Sequence, residues 1–267
     1  MVVPLKSPEC LDWSAFYVAP KSGSTALMAL GIFWIKDREL SSKFFLNTKP
    51  KLIQEKFWKT VPLSKGKFNQ SLITHVSQKY CLVRNPYYRA ISTYLFICQR
   101  ARKTLFFREF QKAKPKNSFI CFLQFLIENS LFLSQEYHLR VQSSFLPKEY
   151  KMSSLISMEL FYSGSDTHMR LIPEDLKFLR EIQLSLKHHN RRSDLIVENG
   201  DTQEYSWLNK EVPSYKSLLT ENSKSLIREI YSADEKIFKY YDQISSQIVI
   251  NPENSNQNIK NPVERIV

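Results

Sequence analysis

Arg84 and Ser92 stand eight residues apart within Tyr80-Cys-Leu-Val-Arg-Asn-Pro-Tyr-Tyr-Arg-Ala-Ile-Ser-Thr-Tyr94, and an arginine paired with a hydroxyl across a strand-to-helix junction is suited to binding phosphate. The run Tyr80 to Val83 predicts a short buried strand. Pro86 occupies a favoured early helical position, and Tyr87 to Phe96 predicts the helix that follows. Arg84 then ends the strand and Ser92 lies about two turns into the helix, so the two side chains can close on one anion from different sides. A second segment of the same build lies upstream: Ala15 to Ala19 as a strand, Pro20-Lys-Ser-Gly-Ser-Thr25 as a loop, and Ala26 to Ile35 as a helix. The N–H groups of Gly23, Ser24 and Thr25 are expected to point out of a helix N-terminus, where the helix dipole adds about half a positive charge. Lys21 supplies a full charge beside Ser22. Two anion loops in one domain predict a ligand with two anionic ends.

The upstream loop is not a Walker A loop. That motif needs a first glycine well ahead of the second and a lysine directly before the last hydroxyl residue, whereas Lys21 here precedes the only glycine of the loop, Gly23. Adjacent His188 and His189, unsupported by Cys or carboxylate at ligand spacing, do not form a metal site, and no metal is expected.

The elements that must position these loops can be read in outline. With 267 residues, 43% of them apolar and only 5 glycines, the chain can bury a full core, and residues 1–250 are expected to form a single domain followed by a flexible, polar tail over 251–267. Strands alternating with helices predict an α/β fold with a central parallel sheet, whose ligands bind beyond the carboxyl ends of the strands; both loops sit at such ends. Asn117 to Asn129, with Ser118 as its N-cap, predicts a buried helix. Leu155 to Met158 predicts a third strand. Pro173 to Leu186 and Thr220 to Tyr241 predict helices, and 37–67 a lysine-rich linker with short helices. Cys10, Cys81, Cys98 and Cys121 are expected to be free thiols, the last three buried. The N-terminal apolar run is too short for a signal peptide and no stretch of about eighteen apolar residues occurs, so a cytoplasmic protein is expected. The formal charge of +12 points to an anionic partner without choosing among a nucleotide, an acidic polysaccharide, a membrane surface and nucleic acid.

With both loops in view, the chain resembles sulfotransferases that use 3′-phosphoadenosine-5′-phosphosulfate, of the carbohydrate-sulfotransferase-like, family 2 type. Pro20-Lys-Ser-Gly-Ser-Thr25 is similar to that family's 5′-phosphosulfate loop, and Val83 to Tyr94 to its 3′-phosphate motif. Glu136-Tyr-His-Leu-Arg-Val-Gln142 resembles a His-x-x-x-Gln element, Ser157-Met-Glu-Leu160 a strand-end element, and Ile230 to Tyr240 a C-terminal helix, so the likeness runs over roughly residues 13 to 241. Two positions depart from the pattern: a glycine-containing first loop, and Asn85 where aspartate is commoner. They leave the acceptor open.

The resemblance implies a P-loop-like three-layer fold, with the parallel sheet flanked by helices, and a metal-free transfer of a sulfuryl group to a hydroxyl of a carbohydrate or another hydroxylated metabolite. Lys21, Ser22, Gly23, Ser24 and Thr25 would hold the 5′ end, Arg84 and Ser92 the 3′-phosphate, and Lys21 would also meet the leaving oxygen. His138 is the candidate base, with Glu136 and Glu159 in reserve. Arg89 divides evenly between a structural and a ligand role. Arg191 and Arg192, in the basic run Lys187 to Arg192, lie where the family often closes over its nucleotide, and a solvated basic loop is the stronger reading of the two. Two other readings stay open: a phosphoryl-transfer or nucleotide-binding enzyme with similar loops, and a non-catalytic basic protein binding polyanions such as nucleic acid through interleaved aromatics. On the sulfotransferase reading no stable nucleic-acid partner is expected.

Overall fold

The structure is a computed structural model that describes residues 1–5, 13–35, 49–60, 76, 78–100, 103–147, 155–163, 173–189, 196–204 and 214–234. Phe16 and Val18, two residues apart on the second strand, β2 (Ser14–Val18), point into one core, as a period of two requires. β3 (Gln78–Val83) pairs parallel with β2, Val18 opposite Leu82, and β4 (Leu155–Ser157) pairs parallel with β3, Val83 opposite Ser157. The first strand, β1 (Val2–Leu5), closes the order β1-β2-β3-β4 and runs antiparallel to β2. The sheet is therefore parallel through its centre, as expected, with one antiparallel strand added at the edge. Pro4, which cannot donate to a ladder, is tolerated on such an edge strand.

Ten helices follow in chain order among the described residues: α1 (Ser24–Ile35), α2 (Pro50–Thr60), α3 (Pro86–Arg100), α4 (Leu105–Ala113), α5 (Phe119–Glu128), α6 (Phe132–Gln135), α7 (Met158–Ser163), α8 (Pro173–His189), α9 (Tyr215–Leu218) and α10 (Glu221–Ile230). A short 3-10 turn spans Gln142–Phe145. Phe16, Val18, Leu82 and Ile156 pack with α1, with Ile53 and Phe57 of α2, and with Phe178, Leu179 and Ile182 of α8. The neighbouring strand residues Cys81, Val83 and Leu155 face the other way, with Tyr17 and Leu146. A second large cluster joins α3, α4, α5 and α10 around Tyr94, Phe106, Phe110, Phe122 and Ile227. The sheet is thus flanked by helices, in an α/β architecture.

Several boundaries differ from expectation, and each shift has a local cause. α1 begins at Ser24, so Ser24 and Thr25 belong to its first turn. Ser118 caps α5 as expected, accepting from Cys121 N–H at 3.2 Å. Thr220 caps the helix expected to run to Tyr241; α10 covers Glu221–Ile230 with Tyr231 as its C-cap, residues 232–234 are helical again, and residues beyond 234 lie outside the described set. β4 ends at Ser157, which puts Glu159 in the first turn of α7 rather than on a strand. His188 and His189 close α8 instead of standing in a loop. Thr104 caps α4, which was not expected, by accepting from Phe107 N–H at 3.2 Å. Cys81 and Cys98 are buried, whereas Cys121 is only half-buried. The readings placed on Cys10, Arg191, Arg192, the tail 251–267 and most of the 37–67 linker, apart from α2, lie outside the described residues. Among the described residues no helix is long and apolar enough to cross a membrane, and no group of three or more His, Cys, Asp or Glu could hold a metal ion.

Candidate functional site

The two loops leave the carboxyl ends of adjacent parallel strands, β2 and β3. In the first, Ser22 N–H returns to Ala19 O at 3.2 Å to close a turn. Lys21 takes φ 66° and Gly23 φ 86°. Left-handed backbone is ordinary for glycine but costs a residue such as lysine roughly 1–2 kcal/mol, so other groups must hold Lys21 there. They do. Arg84 Nη1 donates to Lys21 O at 2.9 Å, Arg89 Nε donates to Pro20 O at 3.1 Å, and the Ser22 hydroxyl donates to Gln142 Oε1 at 2.9 Å. Left-handed residues on either side of Ser22 give the concave run of amides that suits an anion, and the first N–H groups of α1 have no acceptor within the helix. Thr25 Oγ1 accepts from Gln54 Nε2 at 3.3 Å, tying the loop to α2.

The second loop is anchored just as firmly. Asn85 caps α3 through its side chain, accepting from Tyr87 N–H at 2.9 Å, and its own N–H donates to Glu159 Oε1 at 3.2 Å. Asparagine caps a helix about as well as aspartate, so this departure keeps the turn while leaving one negative charge out of the site. The other oxygen of Glu159 accepts from the Ser157 hydroxyl at 3.0 Å. Glu159 is therefore a brace for the turn, holding the Asn85 N–H on one oxygen and the Ser157 hydroxyl on the other.

Arg84 and Ser92 keep donors in hand. Arg84 Nε is buried without an acceptor, and its guanidinium lies 5.7 Å from the centre of the Tyr215 ring. The Ser92 side chain is only 5% exposed, and its hydroxyl makes no hydrogen bond among the described residues. An orphaned buried donor in one loop and a left-handed amide cradle in the other are the features expected of a site for a ligand with two anionic ends.

His138 stands on the segment between α6 and the 3-10 turn. Its Nδ1 lies 3.2 Å from Glu136 Oε1; a carboxylate only accepts, so Nδ1 carries the proton and Nε2 keeps its lone pair. The ring lies against Phe96 of α3, centroids 4.2 Å apart and planes tilted by 33°, and Lys21 Nζ sits 4.8 Å from the centre of that same phenyl ring. Phe96, four residues after Ser92 on α3, thus brings Lys21 and His138 to one place, and the sequence offered no signal for it beyond an apolar helical position. Burial holds the imidazole below its ordinary value. Glu136 opposes that shift, while the Lys21 and Arg89 charges add to it.

Arg89 resolves as structural. It is 1% exposed and donates through Nη2 to Arg140 O at 2.6 Å and, more weakly, to His138 O at 3.4 Å, in addition to Pro20 O. Asp234 completes the buried layer by accepting Gln142 N–H at 2.8 Å and Ser143 N–H at 2.9 Å. Burial pushes its carboxyl up, against the pull of those two amides and of Arg89. Ser24 and Thr25 line the start of α1 beside Lys21, Ser22 and Gly23, and Arg84 joins them through the Lys21 carbonyl.

Compared with known protein families, residues 15–241 match the model described as Sulfotransferase family, of the family 2 type. No curated protein and no solved structure matches the chain.

Proposed function

The chain belongs to the sulfotransferase family, which makes it a sulfuryl-transfer enzyme, and from that premise we propose that it uses 3′-phosphoadenosine-5′-phosphosulfate as donor and a hydroxyl of a carbohydrate or another hydroxylated metabolite as acceptor. One observation carries the reading: Arg84 of the second loop bonds the Lys21 carbonyl of the first at 2.9 Å while keeping a buried donor, Nε, without a protein acceptor. The two loops are thereby held as one site with donors for both anionic ends of such a nucleotide.

The donor, when bound, supplies a mixed anhydride in which the S–O bond to the 5′-phosphate breaks as the acceptor oxygen bonds to sulfur. Ser22, Gly23, Ser24 and Thr25 offer hydroxyls and amides for the 5′ end. Lys21 brings a full positive charge to the oxygen that leaves, where a preorganised charge lowers the barrier most. Arg84 and Ser92 offer their spare donors to the 3′-phosphate. His138 takes the acceptor proton on Nε2, with Glu136 holding the tautomer and Phe96 the ring plane. The depressed basicity of the imidazole keeps that lone pair available at neutral pH.

Calorimetry with adenosine 3′,5′-bisphosphate against ADP tests the reading, since only this donor demands a 3′-phosphate. The bisphosphate is expected to bind more tightly. Arg84→Ala should weaken it by roughly 10- to 150-fold, the worth of about 1.5–3 kcal/mol for a charge-assisted bond, and Ser92→Ala by less. Equal affinity for the two nucleotides, or no loss in either variant, refutes it.

A further inference from the structure

The group that joins the two loops is Gln142. Its side chain is wholly buried and makes three hydrogen bonds: Oε1 accepts from the Ser22 hydroxyl and from Arg84 N–H, each at 2.9 Å, and Nε2 donates to Arg84 O at 2.7 Å. One carboxamide therefore pairs with both main-chain groups of Arg84 in the second loop and with the Ser22 side chain of the first. Its position is set from behind by the Asp234 carboxylate, which takes the N–H groups of Gln142 and Ser143. The same segment carries His138, whose carbonyl meets Arg89 and the Thr93 hydroxyl on α3.

The demand on this side chain is specific. It must offer two acceptor lone pairs and a donor at one reach, which among side chains of that length only glutamine or a protonated glutamate can do. In a buried layer a lost partner leaves the other groups short.

We propose that Gln142 is a positioning residue for the donor nucleotide: it sets the spacing of the 5′ and 3′ anion loops, so that a ligand with both phosphates gains more than its two ends gain separately. The inference rests on the donor reading above. Ordering one loop through Gln142 lowers the cost of ordering the other, which is a coupling free energy between two halves of one site.

The test is calorimetry on the full chain with three probes: adenosine 3′,5′-bisphosphate, adenosine 3′-phosphate and adenosine 5′-phosphate. Gln142→Leu keeps the volume and removes the three bonds; it is expected to weaken the bisphosphate at least about tenfold more than either monophosphate. Gln142→Glu guards against a leucine variant that does not fold, as judged by circular dichroism. Its bisphosphate affinity, taken relative to the wild type at each pH, should recover as pH falls from about 8 to about 5.5, because the protonated carboxyl again offers an acceptor and a donor. A uniform loss across the three probes, no loss at all, or a glutamate variant whose relative affinity ignores pH overturns the role of Gln142. A wild type that does not prefer the bisphosphate over both monophosphates overturns the donor reading, and this inference with it.

Discussion

Arg89→Met probes how the active loops are held, because Arg89 is 1% exposed and its guanidinium is committed to main-chain carbonyls. It donates to Pro20 O at 3.1 Å and Arg140 O at 2.6 Å, with a weaker third bond to His138 O at 3.4 Å. Charge-assisted bonds of this kind contribute about 1.5–3 kcal/mol each, and methionine leaves both well-formed acceptors without this donor, Pro20 O in buried surroundings and Arg140 O in half-buried ones. Asp234, which Arg89 helps to keep ionised, loses that support as well. A loss of roughly 3–5 kcal/mol follows, in the range seen when one partner of a buried charged pair is removed. At about 2–4 °C per kcal/mol for a chain of this size, the melting temperature should fall by roughly 6–20 °C. Thermal melting by circular dichroism reads this, with urea midpoints as a check. Arg89→Lys separates charge from geometry: a compact ammonium cannot donate to Pro20 O and Arg140 O as the planar fork does, so it should restore less than half the loss. A methionine variant melting within about 3 °C of the wild type refutes the reasoning, and a lysine variant melting like the wild type refutes the part assigned to the fork.

His138→Ala is expected to lower turnover by about 10²–10⁴-fold while leaving affinity for adenosine 3′,5′-bisphosphate intact. A protonated imidazole cannot accept a proton, so wild-type kcat/KM should rise with pH to a plateau, with a midpoint below the ordinary imidazole value of 6.5 because burial depresses it. A limb that survives in the variant assigns the base elsewhere. Lys21→Ala should reduce turnover more than nucleotide affinity, since its charge matters most when the leaving oxygen becomes negative; steady-state kinetics beside calorimetry separates the two, and a loss confined to affinity makes Lys21 an anchor. Asn85→Ala should cost about 1 kcal/mol of stability through the lost cap, and Asn85→Asp should restore it. Equal urea midpoints for all three chains would show that the Asn85 to Tyr87 bond carries nothing.

Features that depend on neighbours within a few residues were legible from the chain alone. Both strand–loop–helix units, the cap at Ser118 and the early helical prolines Pro86 and Pro173 need only local periodicity and i to i+4 bonding, and these are written in any short window. The family likeness rests on the same two loops. What the chain alone left open was everything that depends on which distant segments meet. Val2–Leu5 is too short to declare itself a strand and becomes one only because β2 offers an edge. Arg89 looks like any helical arginine until the loop at Pro20 and the segment at His138–Arg140 close over it. Ser22 and Gln142 are 120 residues apart, and Gln142 and Asp234 are 92 apart. Their meeting follows from the order of β2 and β3 in the sheet and from the packing that sets Asp234 against the 3-10 turn at Gln142–Phe145. Likewise Phe96 brings Lys21 to His138 only once α3 lies beside both. Chemical identity at each loop is a local property, whereas alignment of the donors, their burial and the shift in the imidazole are properties of the packed layers, and only the tertiary structure decides them.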